Sequence, residues 1–367
     1  LLIALFQAVV AAFRKRNTSL ALADCDYYHH RQLETVLVAP SSDFSYNTPV
    51  TTLSPFPMLN DIACYRCLNR ACMIQDPQRE LNPDGSASNP WSLCTVELVE
   101  SLKALFRIFP MWSSGIMIFV TIGQFAFSIL QTKTMDRHIF PQFEVPAASF
   151  STFLIIASTI WLILYDRILV PLLSKYTGLR EGLSPITRMG FGLVISCMSM
   201  ALSAITESIR RQRAIEQGLE DDPKALVNMS AMWFVPQYAL LGAAEAAHAV
   251  GQIEFYYSIL PKSMASIAPA MYTIGTAVLG LVESILVSGV DWLISAGGKT
   301  SWLSSNINRG HLDYYFWLLT FMSVINFKIM MVCCTALLNN GPRNDGSNRL
   351  SHEAEGKQCD YRLLPES

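Results

Sequence analysis

Charge is what this chain lacks. Asp, Glu, Lys and Arg make up 15% of its 367 residues, where a soluble domain carries about a quarter. The deficit is uneven, because it falls in a few long apolar runs. The formal net charge of −2 gives no global attraction to nucleic acid, which is not an expected partner. Nine cysteines show no extracellular framework, and reduced thiols are expected. Cys64, Cys67 and Cys72 sit close together, but no second pair or spaced histidine follows, so no metal site is expected. No nucleophile with a base, no phosphate loop and no ligand cluster marks an enzyme. What is there is apolar: 51% hydrophobic residues and a mean hydropathy of +0.31.

The bilayer core is about 30 Å thick, so a spanning helix needs roughly 20 mostly apolar residues. Six runs qualify: 108–131, 147–165, 189–209, 232–257, 266–293 and 314–338. They predict an all-α, multi-pass integral membrane protein with the lipid bilayer as its solvent. Residues 1–13 are apolar and run into Arg14-Lys15-Arg16, the reverse of a signal peptide's order. This is expected to be the tail of something larger. Residues 14–93 are polar and irregular, with turn signals at Asn82-Pro83-Asp84-Gly85 and Asn89-Pro90, and read as a long, partly disordered loop. From Val96, apolar positions alternate with Glu97, Glu100 and Lys103, which predicts an amphipathic helix at the membrane surface. Residues 339–367 form a polar tail.

Lys and Arg are denser on the side of residues 1–107, which puts that segment and the tail in the cytoplasm. The long first loop supplies most of the excess, and without it the two sides nearly balance. Of two sequons, Asn17-Thr18-Ser19 is cytoplasmic in this topology and Asn228-Met229-Ser230 lies almost at the membrane surface. Neither is expected to carry a glycan.

The fourth run holds the most informative residue. Glu245 sits at its middle, where a charge costs roughly 2.5 kcal/mol or more, and such residues face a cavity or a partner and mark transport paths. Tyr238, Glu245, His248 and Gln252 recur at helical spacing and share a face. The alternative is a polar network that only packs helices. His248 is placed to hydrogen-bond Glu245 one turn away, or simply to satisfy packing. In the first run Thr121, Gln124, Ser128 and Gln131 recur every three or four residues, which suits either a polar substrate or hydrogen bonds between helices. Glu283 and Lys328 lie within the fifth and sixth runs at depths differing by about 6 Å, and an intramembrane ion pair between them is expected.

Several short segments occur in a telling order. They are Asp84-Gly85-Ser86-Ala87, Asn89-Pro90-Trp91, Met135-Asp136-Arg137, Val145-Pro146-Ala147-Ala148-Ser149-Phe150, Tyr165-Asp166-Arg167 and Arg188-Met189-Gly190. Pro236-Gln237-Tyr238, Glu245, Gly251-Gln252, Glu254-Phe255, Pro261-Lys262-Ser263-Met264 and Asp313-Tyr314-Tyr315 follow. Over residues 84–338 this resembles the plant nitrate/peptide transporter family, the proton-dependent oligopeptide transporter branch of the major facilitator superfamily. The resemblance implies that the six runs are the seventh to twelfth helices of a twelve-helix transporter. They would form a six-helix bundle matching the second half of the major facilitator fold, with residues 1–107 as the cytoplasmic linker before it. The partner would then be the missing N-terminal half, whose Glu-x-x-Glu-Arg motif does not occur here.

The resemblance also implies alternating access with protons as the coupling ion, no other cofactor, and a small polar substrate such as nitrate, a di- or tripeptide or another plant metabolite. The plasma membrane is the expected location. Glu245 matches the glutamate of the family's tenth helix, which in peptide-carrying relatives resembles an anchor for the substrate's amino terminus. Some nitrate-carrying relatives place a histidine on the seventh helix, and none occurs here over residues 96–131. Asp166 and Arg167, with Arg188 across a loop, resemble the superfamily's cytoplasmic gate. An aspartate at a helix C-terminus opposes the dipole, so an arginine partner is expected for it. The rival function is a truncated, non-transporting membrane protein that binds or regulates full-length relatives. A soluble enzyme is the remote third.

Overall fold

The computed structural model describes residues 2–16, 29, 68–82, 86–296 and 301–339. The chain divides into two compact units, one of residues 1–107 and 337–367 and the other of residues 108–336. The chain is mostly helical.

In the first unit helix α1, Leu2–Arg14, buries Leu5, Ala8, Ala11 and Ala12. The small alanines let the 3-10 turn Arg70–Cys72 pack onto it. Lys15, just past the helix end, is buried; its ammonium pairs with Glu80 at 2.9 Å and donates to the Met73 carbonyl at 2.6 Å. Glu80 lies in the short helix α2, Pro77–Glu80. The described part of the expected irregular stretch is therefore folded onto α1, because a buried charge needs a fixed partner. The Cys72 and Cys94 thiols are free and buried. Desolvation pushes Cys72 up to about 12 and Cys94 up to about 11. Cys64, Cys67, the Asn17 sequon, Asp84-Gly85 and residues 340–367 lie outside the described residues.

Helix α3, Val96–Gly123, is continuous through Pro110, so the amphipathic lead-in and the first apolar run are one helix of 28 residues, about 42 Å long. It breaks at Gln124 and resumes as α4, Phe125–Lys133. The Gln124 side-chain amide donates to the Val120 carbonyl at 2.8 Å, satisfying a backbone group that the break would strand in lipid. Strand β1, Met135–Asp136, follows, then the hairpin of β2, His138–Phe140, and β3, Phe143–Glu144.

The second apolar run does not end at Tyr165. Helix α5, Thr152–Leu164, passes through a π-turn at Tyr165–Leu169 into α6, Val170–Thr177. Pro171 lacks an N–H and would clash with the carbonyl four residues back, and the wider turn relieves that conflict. Gly178, at φ +71°, closes α6 by donating to the Ser174 carbonyl at 3.0 Å. Helix α7, Pro185–Glu216, opens on Ser184, whose hydroxyl accepts from the Thr187 N–H at 3.2 Å. It is longer at both ends than the third run. Strand β4, Val227–Ser230, pairs parallel with β1. Then come α8, Val235–Ile259, α9, Ile267–Ser295, and α10, Leu312–Asn339.

Five of these segments are long and apolar enough to cross a membrane: Val96–Lys133, Ala147–Thr177, Pro185–Glu216, Ile267–Ser295 and Leu312–Thr335. Helix α8 is long enough, but Glu245, His248, Gln252 and Glu254 leave it less apolar than those five. It is instead the centre of packing, with α7 along one side and α5 along another. Glycine makes this possible. A Cβ at Gly192 of α7 would fall 2.8 Å from the Ala244 carbonyl, and one at Gly242 of α8 would overlap the Leu154 carbonyl of α5. Helices approach this closely only over small residues. Gly242→Ala should therefore push α5 from α8 and destabilise the protein by about 1–3 kcal/mol. A wild-type melting temperature in that variant would show that the contact has slack.

By contrast α5 has no buried residue, and α9 buries only Ala268, Gly275 and Val290. Their outer faces are apolar, with Ile155, Ile163, Leu281 and Ile285 exposed. Among lipid tails such faces need no further cover.

Candidate functional site

Between α3, α4, α5, α7, α8 and α10 lies a cavity of about 370 Å³. Thr121, Gln124 and Ser128 reach it from the broken first span, and Ser199 and Ser203 from α7. Gln237 and Tyr238 of α8 and Ser151, in the 3-10 turn before α5, complete its polar wall. Leu154, Ile155, Met200, Leu241 and Phe316 are among its apolar lining. Among the described residues no acidic or basic side chain lines it. Three of the four residues expected on the first span are thus brought together with Tyr238.

The fourth, Gln131, is elsewhere. Its amide donates to Glu207 at 2.6 Å, within a cluster that the sequence reading missed. Glu207 and Arg210, three residues apart on α7, are both fully buried. The guanidinium meets the carboxylate through two bonds of 2.7 Å. It also donates to Asn308 at 2.8 Å, Thr134 at 3.3 Å and the Ile307 carbonyl at 3.3 Å. The Asn308 amide in turn donates to the Leu219 and Asp222 carbonyls, both at 3.1 Å. One ion pair therefore ties α4, α7 and the loops before β4 and α10. The only sequence signal for it is a carboxylate and an arginine one turn apart on α7.

The face proposed for α8 divides in three dimensions. Tyr238 enters the cavity. His248 is buried against Gly115 of α3 and Gly192 of α7, and neither ring nitrogen has a hydrogen-bond partner among the described residues. Of the two alternatives for His248, the bond to Glu245 is not formed: residues three apart diverge by about 60° around a helix, and the ring packs into the bundle. The Gln252 amide also lies against Gly115 and donates to the Tyr256 hydroxyl at 2.7 Å. Glu245 is half-buried within electrostatic reach of Tyr272 of α9. It makes no hydrogen bond or ion pair among the described residues.

The gate residues also separate. Asp166 and Arg167 are exposed, and Asp166 does not meet the arginine expected for it. Arg188 is buried, pairs with Glu254 of α8 at 2.7 Å, and lies 4.4 Å over the Tyr165 ring. It donates to the Glu181 carbonyl at 3.2 Å, which also accepts from the Tyr165 hydroxyl at 3.0 Å. The helix continues through Asp166 into the π-turn, so this aspartate ends nothing and needs no capping cation. Arg188 instead joins the α5–α6 junction to α8.

The pair expected between Glu283 and Lys328 is not formed either. The Glu283 carboxylate sits against Gly123, where a Cβ would come within 2.6 Å of it, while Lys328 is exposed on α10. The backbones of α9 and α10 do not run in close contact, and a depth difference within side-chain reach did not bring the two side chains to one azimuth.

Several apolar helices of spanning length, packed around a polar cavity and a buried ion pair, define a multi-pass membrane protein. The model of the POT family, PTR2, matches residues 70–303, and the chain belongs to that family of transporters. It is 43% identical to Protein NRT1/PTR FAMILY 1.2 of Arabidopsis thaliana over 360 residues, 96% of this chain and 55% of that protein. It is 41% identical to Protein NRT1/PTR FAMILY 1.1 of the same plant over 362 residues, 96% of this chain and 56% of that protein. The chain thus spans about half the length of these relatives. The crystal structure of an auto-inhibited POT family peptide transporter aligns with 64% of this chain and 42% of its own, at 20% identity and a TM-score of 0.48.

Proposed function

We propose that the chain acts within a larger transporter that carries a small polar solute across the membrane, coupled to protons, by alternating access. In this reading α8 is the sixth span, and residues 108–338 are a C-terminal half-transporter. Residues 1–107 are a cytoplasmic linker, residues 339–367 are a cytoplasmic tail, and an N-terminal half supplies the other wall of the path. The plasma membrane is the expected site. Nitrate, di- and tripeptides and related plant metabolites remain the candidate substrates.

The observation that carries the proposal is Glu245. A carboxylate halfway along a membrane-embedded helix, with no ion pair or hydrogen bond among the described residues, is free to take a proton or a cationic group. The broken helix at Gln124 supports the same reading, because transporters build substrate sites at discontinuous spans. Arg188 and Glu254, with the exposed Asp166 and Arg167 nearby in sequence, suit a gate at one end of the path.

Oocyte uptake at acid and neutral pH tests this. The chain joined to six first-half helices of a relative should show acid-stimulated uptake of one solute in a panel of nitrate, dipeptides and glucosides, and the chain expressed alone should show none. Uptake by the chain alone would remove the need for a second half. An assembled carrier that localises to the membrane yet ignores pH would remove proton coupling.

A further inference from the structure

Glu283 lies near the middle of α9 and is half-buried, with no hydrogen bond or ion pair among the described residues. A carboxylate within a spanning helix needs a cation or a proton, and Lys328 does not supply the cation. The carboxylate rests instead at the break in the first span. A Cβ at Gly123 would fall 2.6 Å from its Oε2, so only glycine leaves room for it. The next residue, Gln124, is where α3 gives way to α4.

Tyr315 of α10 is fully buried, and its hydroxyl has no hydrogen-bond partner among the described residues. It lies within electrostatic reach of Glu283 and beside the Gln124 side chain. Buried polar atoms are rarely left unpaired without reason. A hydroxyl is both donor and acceptor. It donates to a carboxylate and, turned about its C–O bond, accepts from a carboxylic acid, so one oxygen serves Glu283 in either state. A fixed cation would hold only the charged state.

Other titratable groups on the packed elements are engaged, distant or turned away. Helix α3 has none over residues 108–123, and Lys133 of α4 lies about 14 Å past the break. Glu207 and Arg210 of α7 hold each other. On α10, Asp313 is about 160° round the helix from Tyr315, and Lys328 is about 20 Å further along. On α9, Asp291 is about 12 Å away. Tyr272, the neighbour of Glu245, is about 16 Å away in the other direction.

We propose that Glu283, with the Tyr315 hydroxyl as its partner, is a proton-binding site at the break in the first span, separate from Glu245 and loaded alongside it. Gln124 also lines the cavity, so water there comes within one side chain of the carboxylate. A proton passes from that water to a Glu283 oxygen and returns to it, and no other covalent bond changes. The use of the site in transport rests on the proton-coupled reading above, but its existence does not.

Infrared difference spectra of the purified chain in lipid nanodiscs, recorded on acidification, test the proposal. A carboxylic acid C=O band should grow in and be lost in Glu283→Gln. In Tyr315→Phe the same band should move to higher frequency, as it does when a carboxyl loses a hydrogen bond, while the band lost in Glu245→Gln stays in place. Size-exclusion profiles check that each variant is folded, and Tyr315→Phe removes a single oxygen, so the test survives if Glu283→Gln misfolds. No band lost in Glu283→Gln, or a band unmoved by Tyr315→Phe, would overturn it. So would radioactive sodium bound by the chain and released by Glu283→Gln, which would make the cation a metal. In an assembled carrier, Glu283→Gln should abolish acid stimulation with the KM for solute unchanged; full acid stimulation in that variant would overturn the shared loading. A parent carrier that ignores pH while the band is present would keep this site and remove proton coupling. An acid-stimulated parent whose chain lacks the band would do the reverse.

Discussion

Arg210→Met should destabilise this protein by about 3–5 kcal/mol, the cost of leaving one member of a buried ion pair without the other. Both side chains are fully enclosed, so no solvent rearrangement can screen the stranded Glu207 carboxylate. Asn308, Thr134 and Gln131 would lose the framework that orients them. The signature of a charge effect is rescue. Glu207→Gln added to Arg210→Met removes the stranded charge and should recover part of the loss, although one new partnerless amide remains. Thermal unfolding of the purified protein measures both variants. Near-wild-type melting of Arg210→Met, or a double variant no better than the single, would show that the pair is not the clasp described above.

Glu245→Gln, in an assembled carrier, should abolish acid stimulation of uptake and weaken a cationic substrate at least tenfold. Glutamine keeps the shape of glutamate but neither titrates nor carries charge. A hydrogen bond to a charged group contributes about 1.5–3 kcal/mol, and about 1.4 kcal/mol is a factor of ten in affinity. Stability should change little, because no hydrogen bond or ion pair among the described residues holds this carboxylate. Arg210 differs: its charge is fully buried and fully engaged, whereas the half-buried Glu245 has no hydrogen bond or ion pair among the described residues. Uptake measured across pH, alongside surface expression, separates the two effects. Unchanged pH dependence with unchanged affinity would end the proposed role of Glu245.

Much of the architecture was legible as composition. Apolar runs of bilayer length gave five of the spanning helices, with ends wrong by up to a dozen residues. Those errors have local causes. The second run ends at Tyr165, where the π-turn begins that carries the helix on to Thr177. Glu97, Glu100 and Lys103 suggested a separate surface helix, yet α3 runs from them into the first apolar run unbroken. The Ser196, Ser199 and Ser203 spacing on α7 was as plain as the Thr121, Gln124 and Ser128 stripe and would have located the opposite wall of the cavity.

Pairings were less legible than positions. Glu283 with Lys328 and Asp166 with an arginine were inferred from depth and helix polarity, and neither forms; for His248 the packing alternative holds over a bond to Glu245. Glu207 falls inside the third apolar run and Arg210 just past its end at 209, so the run's boundary separates the two partners. The folding of β1 against β4 and the loop before α10 closes over them instead.

From the sequence alone came the solvent, the helical class, the family resemblance and the isolated acid on the fourth run, because all four depend on what each segment is made of. Only the fold determined which polar groups have partners. Hydrogen bonds and ion pairs form over a few ångströms and at one azimuth of each helix. That azimuth is set by where Gly192 and Gly242 let the helices touch, a property of the packed bundle and of no single segment.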